Sequence, residues 1–316
     1  MTHLSASEGL RVAVLLPCRN EAATIEKVVR GFREALPEAR IYVFDEASTD
    51  DTARIAGKAG AKVLRGAGPD RGAALWRMFA DIEADIYLMA SGDGACEPAD
   101  ASSLINALVT ERLDMVIGTS ARLGGAKAEG ASWAGGGFAE AYRRLFGAGF
   151  SDPFGERASP YRALTRRLVK SFPPVAPRLS PETALTLHAS ELSIPVASLS
   201  LDGGRPAPRH RKERSLARLG GEAATLARIM LEARPLALFA TFGAIFGLIG
   251  VLIALPLLAA ALGGSPAGAG ATMTAMSALL LAAFALATGF VLESLRRARL
   301  EQKRILFLSV PALGVQ

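Results

Sequence analysis

The sequence predicts an α/β unit, an open and mostly parallel sheet with helices on both faces, followed by a C-terminal hairpin of two apolar helices. Three observations carry this. Short runs of branched and aromatic residues alternate with helix-period segments from residue 10 to about 118. The runs are continuously apolar, as suits strands buried on both sides. Finally, the chain has 36 Lys and Arg and 30 Asp and Glu residues, none of them between Pro235 and Leu292.

Five strands are expected: "LRVAVLLP", "RIYVFD", "AKVLR", "ADIYLMA" and "DMVIGT", each ending at Gly, Pro, Asp or Ser. Between them "AATIEKVVRGFREAL", "STDDTARIAGKAG", "DRGAALWRMFADIEA" and "PADASSLINALVTERL" have helical spacing, the second opening with a Ser or Thr cap followed by acids. Such alternation builds a sheet layered by helices.

The uncharged stretch is long enough for two spans, since a bilayer core takes about 20 apolar residues per helix. They are expected at about 236–262 and 271–293, joined by the turn "GGSPAGAGA". Long helices without a charge on any face are unusual in a soluble core. Arg228 and Arg234 precede the hairpin and Arg296, Arg297, Arg299, Lys303 and Arg304 follow it, while the turn carries no charge. The positive-inside rule then leaves both termini in the cytoplasm, at a plasma or inner membrane. "MTHLSASEGLR" has no signal-peptide core, in keeping with this. The expected order is a tail (1–9), a cytoplasmic α/β domain (10–212), a juxtamembrane amphipathic helix (213–234), two membrane helices (235–293) and a basic cytoplasmic tail (294–316).

Net charge is +6, and "RPAPRHRKERSLAR" concentrates basic residues just before the hairpin. Beside a membrane such a run is either a solvated face or a holder of anionic headgroups or a lipid phosphate. No aromatic platform accompanies it, so no nucleic-acid partner is expected. Cys18 and Cys96 have neither disulfide nor metal spacing, which fits a reducing compartment. "GASWAG" lacks the spacing of a nucleophile elbow, and "GAGPDRG" does not meet the dinucleotide fingerprint. His188, on an expected amphipathic helix, reads as a core or surface histidine rather than a ligand.

Three strand ends carry polar clusters: Pro17 to Glu21, Asp45 to Thr49, and Ser91 to Asp93. Any one carboxylate there is more often a helix cap. Three on the same edge of an open α/β sheet point to a ligand crevice.

In order and spacing, "LLPCRNEAATI", "FDEASTDDTARIA", "SGDGACEPAD" and the terminal hairpin resemble the polyprenyl-phosphate glycosyltransferases of glycosyltransferase family 2, a group that includes dolichol-phosphate mannose synthase. The resemblance implies a GT-A fold, a Rossmann-like nucleotide-diphospho-sugar transferase domain. It also implies transfer of a hexose, with inversion, from a UDP- or GDP-sugar to a polyprenyl (undecaprenyl or dolichyl) phosphate, serving a cell-envelope glycan. Position by position, Pro17, Asn20 and Glu21 match the nucleotide pocket, Asp45 the acid at base or ribose, and Arg71 a cation near the diphosphate. Asp93 matches the last acid of the Asp-x-Asp metal motif, so Mg2+ or Mn2+ is implied, with Glu97 a second candidate ligand. Asp152 falls at the acceptor segment's acid, a base or acceptor-orienting group. Tyr161 and Arg162 fall at its aromatic-basic pair, with Arg162 placed among the catalytic residues. Glu182 and Thr183 match a Glu-Thr pair, and Arg205 and Lys212 match positions for the acceptor phosphate.

The sequence departs from that pattern at Ser91, where the first metal acid belongs, at Gly94, where another acid belongs, and at Ser120, where an Arg is common. Two readings stay open. Asp93 alone anchors a metal whose shell is completed by diphosphate and water, or the chain has lost catalysis and acts as a nucleotide-binding partner of an active homologue. A homo-oligomer is compatible with either. The Gln-x-x-Arg-Trp signature of processive synthases is absent.

Overall fold

Seven strands form one sheet in the order β3-β2-β1-β4-β6-β5-β7. The computed structural model describes residues 9–66, 71–120, 159–173, 181–201, 235–263 and 268–313. The strands are β1 (Val12–Cys18), β2 (Arg40–Asp45), β3 (Lys62–Arg65), β4 (Ile86–Met89), β5 (Met115–Ser120), β6 (Arg162–Thr165) and β7 (Val196–Leu201). The first five stand where the apolar runs predict them. β1 to β4 run parallel, and β6 is antiparallel to both β4 and β5. The two short strands β6 and β7 were not expected from the sequence.

The helices of this unit are α1 (Ile25–Ala35), α2 (Thr52–Lys58), α3 (Arg71–Asp81), α4 (Ala101–Thr110), α5 (Arg166–Ser171) and α6 (Pro181–Leu192). α1 buries Ile25, Val28, Val29 and Phe32, spaced i, i+3, i+4, i+7 on one face. The expected Ser or Thr cap on α2 is absent: Asp51 occupies the N-cap without a side-chain bond to the helix backbone, its carboxylate holding Arg54 instead, and Asp50 Oδ1 takes the Thr52 N–H at 3.0 Å.

Successive strand residues point to opposite faces and feed two cores. Val12, Val14, Leu16, Ile86 and Leu88 pack with α1, α2 and α4. Ala13, Leu15, Tyr87, Met89 and Leu164 pack with α3, α5 and α6. Burial on both faces is why the strands read as continuous apolar runs. Because α1 and α2 cover one face and α3 the other, the chain reverses direction between β1 and β4. The carboxyl ends of those two strands are the topological switch point.

The described chain divides into two compact units, Met1–His210 with Lys303–Gln316, and Arg211–Gln302. In the first, the chain's end is held by Lys303 Nζ on Glu191 Oε2 at 2.6 Å, by the Arg167 guanidinium 4.8 Å over Phe307, and by Leu313 against the first core. His188 is a core residue, buried with Nε2 3.0 Å from Ser171 Oγ and its ring edge-on to Phe172.

The second unit contains α7 (Pro235–Leu262) and most of α8 (Ala269–Ser309), both long and apolar enough to cross a membrane. They pack as a pair where side chains are smallest. A Cβ at Gly243 would stand 3.0 Å from Leu286, one at Gly250 2.8 Å from Leu279, and one at Gly289 2.9 Å from Phe239. Small residues permit this close approach, which drives apolar helices together without help from water. Large side chains such as Phe242, Leu252, Phe284 and Phe290 face outward and exposed, the reverse of a soluble core.

Candidate functional site

At the switch point three loops are tied to one another. Cys18 and Asp45, the last residues of β1 and β2, are register partners, and the Glu46 N–H donates to Cys18 O at 2.9 Å. Beyond β1 the backbone turns through Asn20 at φ 57°, a conformation to which asparagine is well suited. The Asn20 N–H donates to Ser48 Oγ at 3.0 Å, and Asn20 Oδ1 accepts from Thr49 N at 2.8 Å. One residue on, Glu21 N donates to Thr52 Oγ1 at 2.8 Å and Ala22 N to Asp50 Oδ2 at 3.1 Å. The loops after β1 and β2 thus form one laced rim.

The loop after β4 meets that rim at Gly92. A Cβ there would lie 2.2 Å from Glu21 Oε2 and 2.4 Å from Cys18 Sγ, and Thr24 Oγ1 donates to Gly92 O at 2.9 Å. Asp45 and Glu46 are buried beside these groups, and Asp45 Oδ1 accepts from Ser48 N at 3.2 Å. Burial, then the neighbouring Glu21, pushes the Cys18 thiol far above its ordinary range. It stays protonated, donates to Leu16 O at 3.3 Å, and serves as packing rather than as a nucleophile.

Asp93 stands exposed on the far side of Gly92, with Oδ1 accepting from Ala95 N at 2.8 Å. Gly94 follows at φ 78°, where a glycine carries no steric penalty. The next turn is fixed from below. The Tyr161 hydroxyl donates to Glu97 O at 3.0 Å, its ring meets Phe32 edge-on, and a Cβ at Gly31 would press within 2.8 Å of Pro98. Burial raises the Cys96 thiol to about 12.

Among the described residues no three His, Cys, Asp or Glu side chains gather into a ligand set. Among the described residues of the loop after β4, the exposed carboxylates are Asp93 and, four residues on, Glu97. That fits a divalent ion that keeps several waters and takes phosphate oxygens from its substrate, as Mg2+ does.

The sequence-derived residues sort accordingly. Pro17, Asn20, Glu21, Asp45 and Asp93 come to one edge of the sheet. Arg71 is the first residue of α3, and its side chain lies outside the described residues, as do Asp152, Arg205, Lys212 and the segment 213–234. Arg162, placed among the catalytic residues by the resemblance, is the first residue of β6, in register with Met89 at the carboxyl end of β4, and is fully buried. Its Nε donates to Ser159 O at 2.9 Å and its Nη1 to Thr186 Oγ1 at 2.9 Å, and Thr186 in turn donates to Glu182 O. A strand between β4 and β5, covered on both faces, leaves an arginine no route to solvent. It braces β6 against α6. Cys18 and Gly92 fall within the strand-end clusters read from the sequence, but their contact with each other, and Thr52 as an anchor of the rim, were not foreseen, because these roles are contacts between loops rather than chemistry of their own.

Comparison with known proteins agrees with this layout. The model of the family described as "Glycosyl transferase family 2" matches residues 13–146, the span of β1 to β5 with all three loops. Protein RfbJ of Shigella flexneri is 46% identical over 110 residues, 35% of this chain and 85% of that one. Glycosyltransferase AglJ of Haloferax volcanii is 40% identical over 108 residues, 34% of this chain, and the match spans only 35% of that protein. Among solved structures, glucosyl-3-phosphoglycerate synthase of Mycobacterium tuberculosis with Mn2+, UDP and phosphoglyceric acid superposes with a TM-score of 0.55. It is 24% identical, covering 72% of this chain and 79% of that one, a likeness of fold.

Proposed function

The chain belongs to glycosyl transferase family 2, with a GT-A fold, and from that premise we propose that it passes a hexose from a UDP- or GDP-sugar to a polyprenyl phosphate at the cytoplasmic face of a membrane. The observation that carries the donor half is the junction of three strand-end loops at the switch point, bringing Glu21, Asp45 and Asp93 to one edge. The observation behind the acceptor half is the pair of apolar helices in the same chain.

In this reading the donor nucleotide lies over Pro17, Asn20 and Asp45, with Arg71 toward its diphosphate. The laced rim matters because the loops carry no slack: Asn20 locks the second loop, so the nucleotide meets a preformed wall and binding costs little ordering. When bound at Asp93, a divalent ion offsets the charge that develops on the leaving diphosphate. Glu21, packed against Gly92, keeps the Asp93 loop in register with the nucleotide wall. Asp152 orients or deprotonates the acceptor phosphate for attack with inversion, Arg205 and Lys212 meet that phosphate, and Arg162 acts from behind as a positioning residue. Helices α7 and α8 anchor the chain where its lipid acceptor resides, and the basic residues after the second span favour cytoplasmic termini.

The test is calorimetry of UDP and GDP on the purified full chain, with and without Mg2+ or Mn2+, followed by transfer of labelled hexose to polyprenyl phosphate. Metal-dependent binding of one nucleotide, and turnover abolished in Asp93→Ala, are expected. Binding that ignores metal, together with no turnover on any donor, would overturn the reading in favour of a non-catalytic nucleotide-binding partner.

A further inference from the structure

The opposite edge of the sheet carries a second polar recess. It lies at the amino ends of β2 and β3, where Arg40 and Lys62 are the first residues of their strands, and it is closed by Arg33 from the last turn of α1, by Pro37 and by Gly60. Its volume is about 390 Å³, within the roughly 300–1,000 Å³ usual for small-molecule sites. Asp45 is five residues farther along β2 than Arg40, about 17 Å at the rise of a strand. The recess is therefore separate from the donor crevice.

Its wall is cationic without compensation. Arg33, Arg40 and Lys62 all line it, and among the described residues no carboxylate does. Among the described residues none of the three forms an ion pair. Arg33 has a structural duty, since its Nη1 donates to Ala59 O at 3.2 Å and closes the end of α2. That duty also fixes its position: Gly60, at φ 98°, leaves room for the guanidinium, whose Nη1 is 2.1 Å from where a Cβ would be. Lys62 is drawn over the Tyr42 ring, Nζ 5.8 Å from the centroid, and both residues line the recess. Arg40 has no such duty. Three positive side chains around one concavity repel one another, and an anion seated between them removes that cost.

We propose that this recess is an anion site for a phosphate monoester or diester bearing a ring-sized or glycerol-sized group. The volume exceeds what a bare ion needs. The planar donors of Arg33 and Arg40 suit phosphate oxygens, while Lys62 supplies a point charge. The same chemistry occurs in a free sugar phosphate and in an anionic phospholipid headgroup.

The experiment is titration calorimetry of inorganic phosphate and of glucose 1-phosphate into the full chain in neutral detergent, without divalent ions. Wild type should bind glucose 1-phosphate saturably and more tightly than inorganic phosphate. Arg40→Ala/Lys62→Ala, which changes exposed side chains only, should weaken it about tenfold or more, the loss of two charge-assisted contacts. Asp45→Ala should leave it unchanged, which separates this site from the donor crevice whether or not hexose transfer is observed. Adding phosphatidylglycerol to the micelles separates the sources. Loss of the wild-type signal names the headgroup, and persistence names the free ester. No saturable binding by wild type, or equal binding by the double variant, overturns the proposal.

Discussion

Gly92→Ala is the sharpest probe of the candidate crevice. The added Cβ would fall 2.4 Å from Cys18 Sγ and 2.2 Å from Glu21 Oε2, more than about 1 Å inside the 3.5–4.0 Å optimum for carbon contacts. Gly92 cannot retreat readily, because its carbonyl is held by Thr24 Oγ1 at 2.9 Å at the start of α1. Nor can Cys18 yield easily, itself buried at the end of a strand of which only Pro17 is partly exposed. The Glu21 carboxylate must therefore swing away, while its backbone stays held by Thr52 Oγ1 and the contact with Cys18 Sγ remains. Overpacking of this kind costs about 1–3 kcal/mol.

The assay is a double-mutant cycle with Cys18→Ala, reading both unfolding in denaturant and UDP affinity in the presence of Mn2+. Removing Sγ should return part of the lost stability, with a coupling of about 0.5–3 kcal/mol. It should not return UDP affinity, since the new methyl group still displaces Glu21. If Gly92→Ala binds UDP as wild type does, Glu21 and Gly92 do not form part of the nucleotide wall and the junction is merely structural.

Three further outcomes follow from the same geometry. His188 is buried with its pKa lowered from 6.5 to about 3, first by burial and then by Lys303, so below pH 6.5 the unfolded chain binds a proton that the folded chain refuses. Stability should fall as pH drops from about 6.5 toward 3, by up to ~1.4 kcal/mol per unit, and the slope of unfolding free energy against pH should flatten in His188→Gln. Arg167→Ala removes the ion pair of the fully buried Asp114, leaving it the Thr165 hydroxyl at 2.8 Å, and should cost about 3–5 kcal/mol in denaturant midpoints with UDP affinity unchanged. Tyr161→Phe deletes the bond to Glu97 O and should cost about 0.5–1.5 kcal/mol, while weakening Mn2+-dependent UDP binding and sparing metal-free binding in the same calorimeter.

The strands and helices up to residue 120 were legible because each apolar run ends at a residue that ends strands, and because burial on both faces writes itself as uninterrupted hydrophobicity. β6 was not legible for two reasons. "RALT" is only four residues long and runs straight into "RRLVKS", so its period is lost in that of α5. It also begins with Arg162, a residue type that is almost never fully buried unless paired. The burial of that arginine was not legible either, since a basic residue beside a tyrosine reads as exposed and only the sheet order shows it hemmed between β4 and β5. Asn20, Glu21, Asp45 and Asp93 were legible as a group because strand ends converge in any doubly wound sheet. That Asn20 commits its carbonyl to Thr49, or that Cys18 abuts Gly92, depends on loop geometry that spacing does not encode.

The two missing acids have different physical standing. Gly94 lies at φ 78°, where an aspartate would meet a left-handed penalty of about 1–2 kcal/mol, and this turn is what lets Asp93 Oδ1 reach the Ala95 N–H. An acid at 94 is thus disfavoured, though less than most residues would be, by the way Asp93 is held. Ser91 is different, half-buried just beyond β4, at ordinary φ, with its main-chain N–H toward the Cys96 sulfur and its hydroxyl outside any bond among the described residues. Ser91→Asp therefore adds a second hard oxygen two residues before Asp93 without asking the turn to change. If Asp93 is a working metal ligand, the variant should lower the Mn2+ concentration needed for half-maximal UDP binding by about tenfold, since affinity for such ions is tuned by the charge count of the ligands. UDP affinity without metal should fall, because a second carboxylate then faces the diphosphate uncompensated. A metal requirement identical to wild type, in a variant that still folds and binds UDP, would mean that position 91 does not face the ion and that the Asp93 loop holds its metal, if any, from another side.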